Sequence, residues 1–506
     1  PGNFDQATAA FDSAEGVPVD DVRFVSSYSD PTAGETVFVC DNTGDIRGYP
    51  NGNLQFLTPG TGLITNDQPW THAQVAGVSF LARKGMTPYA RNIKDANAFS
   101  LIGGDWSVND TCSIIRGYND FAVAFNVTKA GQSFPTMVKW SNVIPYGSAL
   151  ADIFWDPSNP NYNSGENVLG ELTTPIRDAC ALASSMVIYT KDQVWLMDYT
   201  GSTYVFNFRR LFPSGGILNT NCVVEVDGKH FVFGEDDIYV HDGISKNSLA
   251  DGKVRRYVYR NLDRAKLGAC YVQHDPVTNL IFFCYASKET DIGFPGTAYC
   301  NTAAVYNYRE NNWSFIDLPN TVGGASVNVD LSQNLYLKAG ADIATLYDTS
   351  AATTEGEAPR ISVMLSAPNE AVSASRVFAV DGAATNMVKL PAHPESLKVA
   401  YVERTGLDLD DPGLQLPLKS YKFIDSIVPQ FDFDGPPGSI RWRVGAADKP
   451  KDPTTWYSDQ TFDPDQDYKL DMRVGGRYLS YRVDVSSTEN FGFSGFDSEV
   501  KAVSHR

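Results

Sequence analysis

The run Ala304-Val305-Tyr306-Asn307-Tyr308-Arg309-Glu310-Asn311-Asn312-Trp313 joins an apolar stretch to a polar turn and a tryptophan that opens the next stretch. Looser versions recur at Val37-Phe38-Val39-Cys40-Asp41, Val194-Trp195-Leu196-Met197-Asp198, Ile238-Tyr239-Val240-His241-Asp242 and Thr345-Leu346-Tyr347-Asp348. Each closes on Asp or Asn, whose side chain bonds to its own backbone and so begins a turn. With weaker members near Arg83 and Asn126, successive anchors lie about 41 to 44 residues apart, with two longer gaps of about 65 and 72. That period accommodates four short strands and their turns, one blade of a β-propeller. The expectation is an all-β chain: a propeller of six to seven blades over residues 1–350 and a C-terminal β-sandwich over 351–506.

Composition supports strands over helices, with 41 Gly, 28 Pro, 25 Tyr and 28 Phe in 506 residues. No stretch approaches the roughly 18 apolar residues of a membrane-spanning helix, so no stable membrane insertion is expected. The start Pro1-Gly2-Asn3-Phe4-Asp5 has neither a charged head nor an apolar core, so no signal peptide is expected. Seven cysteines without a C-x-x-C pair point to buried free thiols in a reducing compartment. The net charge of −19, from 60 acidic and 41 basic residues, opposes a surface that grips phosphate. Ordinary solubility is the simpler explanation; a wall past which a polyanion slides without sticking is the other.

Local signals place the elements. Asn51-Gly52 and Asp227-Gly228 are two-residue hairpin signals between β-rich flanks. Gly252 to Leu262, with Val254, Tyr257 and Val258 at helical spacing, predicts a short helix crossing between blades. The longer gaps hold insertions at 142–170 and at Ser287 to Thr302. Long loops on a rigid ring are common contact sites, so Phe154, Trp155, Asp156, Asn161 and Tyr162 are candidates for a gate or an inter-subunit contact. A clamp on the neighbouring blade or subunit fits the same loop equally well. Around Ala351–Glu357 the texture changes to that of a linker. Beyond it, Ser439–Val444 and Arg477–Val485 alternate with period two, as sandwich strands with one wet face do. Residues 367–419 differ in texture and are expected to be an excursion inserted in that sandwich; its acidic Asp408, Asp410 and Asp411 are further loop candidates.

Chemistry finds no foothold. H-E-x-x-H, G-x-S-x-G and the phosphate-loop motif are all absent. His230 and His241 can meet across a hairpin, an arrangement that suits packed imidazoles better than metal ligands. Asp463-Pro464-Asp465-Gln466-Asp467 begins like a calcium loop, then places Tyr468 at the glycine position and Val474 at the twelfth. No catalytic residue, metal ligand or cofactor is expected, and no enzyme.

From Met137 to Leu318 the chain resembles the tail nozzle or tail-hub proteins (tail tubular protein B-like) of short-tailed bacteriophages. The matching phrases are Met137–Asn142, Val187–Met197, Tyr204–Phe212, Asn221–Glu225, Lys229–Gly234, Val240–Gly243 and the run through Trp313, with Gly475–Leu479 and Ser494–Asp497 near the end. Trp140, Trp195, Tyr306 and Trp313 stand in these phrases. The resemblance implies a virion protein assembled in the host bacterial cytoplasm, six copies forming a ring below the portal–adaptor assembly. It implies contacts with adaptor proteins, tail fibres or spikes and an internal plug or needle, with genomic DNA passing through the lumen. The family supplies no catalytic residues. The alternative is a receptor- or carbohydrate-binding propeller such as a tail-fibre or lectin domain, its aromatics stacking on sugars.

Overall fold

A computed structural model describes residues 4–5, 22–30, 34–50, 55–60, 64–95, 97–202, 204–276, 278–288, 299–328, 360–366, 376–380, 398–408, 421–433, 438–449, 452–457, 459–487 and 491–504. The chain divides into two units, Gly2–Val388 and Lys389–Arg506.

In the larger unit, antiparallel strands succeed one another as six blades among the described residues. Five are four-stranded sheets in strict sequence order, spanning 22–56, 70–101, 111–168, 178–212 and 223–248. The sixth begins with Tyr271–Asp275, Leu280–Tyr285, Cys300–Asn307 and Asn312–Asn328, and its sheet continues through Arg360–Ser366, Arg376–Val380 and Phe4–Asp5. First strands of successive blades pack side by side, and the strand Asn312–Asn328 meets the first strand of blade one, Val22–Asp30. There the Arg23 guanidinium lies 4.4 Å from the centre of the Tyr299 ring, a cation–π contact across the closure. The fold is a β-propeller, six blades within the expected range.

Strand chemistry follows position in the blade. Val78–Arg83, second in blade two, is buried throughout because sheets flank it on both faces. The hairpin of blade five turns at Asp227 and Gly228, with φ of 51° and 72°, as a two-residue turn with both centres left-handed requires. The opening run behaves as its sequence implies. Its strand ends at Asn307, whose Oδ1 accepts from the amides of Arg309 (3.0 Å) and Glu310 (3.1 Å). The next strand then brings Trp313 opposite Tyr306, ring centres 4.9 Å apart.

Asp41 and Asp242 cap turns in the same way, each accepting from backbone amides further along. Asp198 does not. It lies inside the strand Val194–Tyr199, where its carboxylate takes Arg209 Nε at 3.0 Å. The anchors also occupy different places: Asp41, Arg83 and Asn126 sit on second strands, whereas Asp198 and Asn307 lie on third strands and Asp242 directly follows one. The longest gap therefore combines the 142–170 insertion with a shift of one strand within the blade. Thr345–Asp348 and residues 289–298 lie outside the described residues, as does the tip Asn51-Gly52 between its paired flanks. The short helix forms at Arg255–Asn261, between blades five and six, where a crossover is expected.

The expected boundary at 350/351 is corrected to 388/389, because Arg360–Ser366 and Arg376–Val380 pair into the sixth blade's sheet. For the same reason 367–419 is not one excursion. Arg376–Val380 belongs to the propeller unit, whereas Lys398–Leu407 pairs with Tyr478–Ser487 in the sandwich.

The smaller unit stacks two antiparallel sheets. One contains Lys398–Leu407, Tyr478–Ser487 and Ser439–Ala447, with Thr455–Trp456 and Gln460–Phe462 on the last. The other is Leu470–Gly476, Tyr421–Phe433 and Phe491–Ser504. Period-two alternation sends Ile440, Trp442 and Val444 inward from one sheet, to meet Ile424, Ile427, Met472 and Val474 from the other.

Candidate functional site

The 142–170 loop is folded tightly onto blade two. Asn142 holds its base: its amide donates to Phe154 O (2.8 Å), its Oδ1 accepts from Phe154 N (2.8 Å) and its Nδ2 reaches Asp152 O (3.2 Å). The Asp105 carboxylate, from the connection between blades two and three, accepts the amides of Trp155 and Asp156. Gly104 permits this approach; its φ is +69° and an added Cβ would fall 1.8 Å from Ile153 O. Trp155 is thereby driven into the core between the blades, fully buried, its ring edge-on to Trp106 at 4.9 Å.

Of the residues singled out in this loop, Trp155 is corrected from a surface contact to core, since a wholly buried ring cannot touch a partner. Phe154 and Tyr162 stack on each other at 4.0 Å and are half-buried. Asp156 ties the amide and hydroxyl of Ser158. Asn161 alone of the five is exposed. Asp408 is exposed at the end of a sandwich strand, in the other unit; Asp410 and Asp411 lie outside the described residues. Within the chain, the loop clamps onto the connection between blades two and three.

The four tryptophan and tyrosine landmarks pack in or against the core clusters of the propeller. Trp140 and Trp195 are buried in one cluster between blades three and four, with Trp140 Nε1 donating to Asn163 O at 2.8 Å. Trp313 Nε1 reaches back to Leu249 O, 3.3 Å away, and so ties blade six to the end of blade five.

The centre of the ring holds a polar network that sequence reading missed. Arg116, on the first strand of blade three, donates to both carboxylate oxygens of fully buried Asp178 in blade four, at 2.8 and 3.0 Å. The same guanidinium reaches Asn221 Oδ1 (2.9 Å) at the entrance to blade five and His72 O (3.3 Å) in blade two. Asn221 closes the web by donating its amide to Asp178 Oδ2 (2.7 Å) and its Nδ2 to Trp70 O (3.0 Å). Blades two and five face each other across a six-bladed ring, so these bonds span its middle. The available signal was a lone charge in an apolar strand, Arg116 within Ile114–Tyr118.

His230 and His241 do meet, as cross-strand partners in blade five with ring centres 5.2 Å apart. Between them sits the Tyr189 hydroxyl of blade four, 2.7 Å from His230 Nδ1 and 2.6 Å from His241 Nε2. One proton arrangement satisfies every group. His230 Nε2–H donates to Ala181 O (2.8 Å), leaving Nδ1 to accept from Tyr189. Tyr189 in turn accepts from His241 Nε2–H, and the Gly243 amide donates to His241 Nδ1 (3.3 Å). Burial pushes the imidazoles down to about 4 for His230 and about 3 for His241, both neutral at neutral pH. Among the described residues, no group of three or more His, Cys, Asp and Glu side chains is placed to hold a metal ion. In the Asp463 turn the carboxylates are engaged locally, Asp463 Oδ1 with Asp465 N and Asp467 Oδ2 with Asp463 N, both at 3.0 Å. Desolvation raises the buried thiols of Cys40, Cys112, Cys222, Cys270, Cys284 and Cys300, which disfavours nucleophilic thiolates. No helix among the described residues is long and apolar enough to cross a membrane.

These features define a β-propeller with a filled centre. No family model and no curated protein matches the chain. Among solved structures it is similar to a computationally designed protein, Ika8, at 9% identity over 74% of this chain and 99% of that one, with a TM-score of 0.37. It is also similar to the WD40 β-propeller domain of Doa1, at 9% identity over 76% of this chain and 98% of that one, with a TM-score of 0.38.

Proposed function

We propose that the chain is a structural subunit of the distal tail nozzle of a short-tailed bacteriophage. It forms a homo-hexameric ring below the portal–adaptor, meets fibres or spikes and a plug protein, and passes genomic DNA without sequence-specific binding. It carries out no catalysis. The phrases that resemble the nozzle family support this reading, because they fall in order on blades three to six. The observation that carries it is the network of Arg116, Asp178 and Asn221. A propeller whose middle is tied across by hydrogen bonds serves as a wall, so a conduit has to form between copies rather than through one. A head-to-tail contact repeated around an axis closes such a ring.

A second reading, a receptor- or carbohydrate-binding propeller, is favoured by Tyr204 and Ile244, exposed by 82% and 89% at turns of neighbouring blades. Electron microscopy of the purified full chain separates the two. A sixfold ring with an axial pore is expected, and monomers or trimers that bind glycans through Tyr204 would overturn the nozzle.

A further inference from the structure

The crossover between blades five and six opposes the charge of the chain. Against a net charge of −19, residues 253–266 hold Lys253, Arg255, Arg256, Arg260, Arg264 and Lys266, with Asp263 the only acid among them. Folding turns these cations outward. The short helix buries Val258 and Asn261, which leaves Arg255, Arg256 and Arg260 exposed on its other side. A depression of about 600 Å³ opens there, lined by Lys253, Arg255, Arg256 and Arg264 and by Asp236 and Asp251. Arg255 pairs with Asp251 at 3.3 Å, and Arg264 stands 3.9 Å from Glu235. Beside it Tyr257, 42% exposed, meets the edge of the exposed Phe315 ring at 4.7 Å.

We propose that this crossover is the surface on which a second copy of the chain docks through exposed carboxylates, head to tail. Two observations favour a protein over a nucleic acid. Asp236, Asp251 and Glu235 stand among the cations, where a phosphate chain would meet repulsion and a protein would offer donors as well as carboxylates. Exposed tyrosine beside arginine is the composition of protein-interface anchors. Another copy of this acidic chain offers exposed carboxylates, which complement the basic patch at contact distance. The choice of a second copy as the partner rests on the ring reading above.

Sedimentation velocity of the full chain tests it, at salt concentrations of about 50 mM and about 500 mM, between which exposed charges are progressively screened. Wild type is compared with Arg255→Glu/Arg256→Glu and Arg255→Ala/Arg256→Ala, with circular dichroism to verify folding. The expected result is assembly that weakens with salt, needs at least a tenfold higher concentration in the Glu pair and lies between in the Ala pair. If the Glu pair does not fold, the Ala pair decides. Variants that assemble like wild type overturn this surface and leave the ring reading standing. A wild type that stays monomeric overturns both. A monomer that binds duplex DNA, with binding lost in the variants, overturns the inference in favour of a nucleic-acid site.

Discussion

Removing one oxygen tests the hydrogen-bond chain between blades four and five. In Tyr189→Phe the ring keeps its place and shape, but His230 Nδ1 loses its donor and His241 Nε2–H loses its acceptor. Both imidazoles are buried, at 0% and 1% exposure, so water cannot replace the hydroxyl. An unsatisfied buried polar group costs about 1–3 kcal/mol, which for two groups places the substitution at about 2–6 kcal/mol. Urea unfolding at pH 7 measures this, with hydrogen exchange at the Gly243 amide as the local readout, since a unit of this size need not unfold in one step. The imidazoles add a pH signature. Their folded values, about 4 and about 3, lie below the ordinary 6.5. The unfolded chain therefore takes up more protons below that value, and stability falls as pH drops through 6.5 towards 4. At pH 5 the loss is about 2 kcal/mol for each imidazole. Tyr189→Phe should lower stability at pH 7 while keeping this acid slope. A loss below about 1 kcal/mol at pH 7, or a wild type whose stability is flat between pH 7 and pH 5, would refute the proton assignment.

Three further outcomes follow from the same reasoning. Trp155→Ala should cost about 3–5 kcal/mol in denaturant titration; Trp155→Phe should cost much less, because Trp155 Nε1 has no hydrogen-bond partner to lose. Arg116→Met leaves the Asp178 carboxylate buried without its cation and should cost about 3–5 kcal/mol, with Arg116→Lys recovering only part because one ammonium cannot reproduce the fork; thermal unfolding measures both. Gly104→Ala should free the 142–170 loop from blade two, seen as faster proteolysis at Asn159–Asn163 with the remaining blades intact, and unchanged cleavage would count against the clamp.

What the sequence disclosed was local. Asp227-Gly228 forms its hairpin, Asn307 its turn and Arg255–Asn261 its helix, because each depends on neighbours a few residues away. Asp198 misled because the same residue type can cap a turn or pair across a ladder, and only the position of Arg209 decides. Trp155 was legible as an aromatic in a long loop, but its burial depends on Asp105 and on a glycine that lets two backbones touch. The central web was out of reach for a stronger reason. Arg116 meets Asp178 and Asn221 at separations of 62 and 105 residues, distances over which no periodicity carries information. The unit boundary was misplaced because Arg360–Ser366 finds its partner strand in Asn312–Asn328, across a stretch that reads as a linker.

The way the sixth sheet is built has a consequence for synthesis. Blades one to five use contiguous chain, so each can pair its strands soon after it leaves the ribosome. The circle cannot lock then. Its junction needs Asn312–Asn328 against Val22–Asp30, and the strand that braces that junction, Arg360–Ser366, emerges later still. Until that point the nascent propeller is an open arc with an uncovered blade face at each end. Ring closure is therefore the late, long-range step of folding, and the one most exposed to capture by a neighbouring chain.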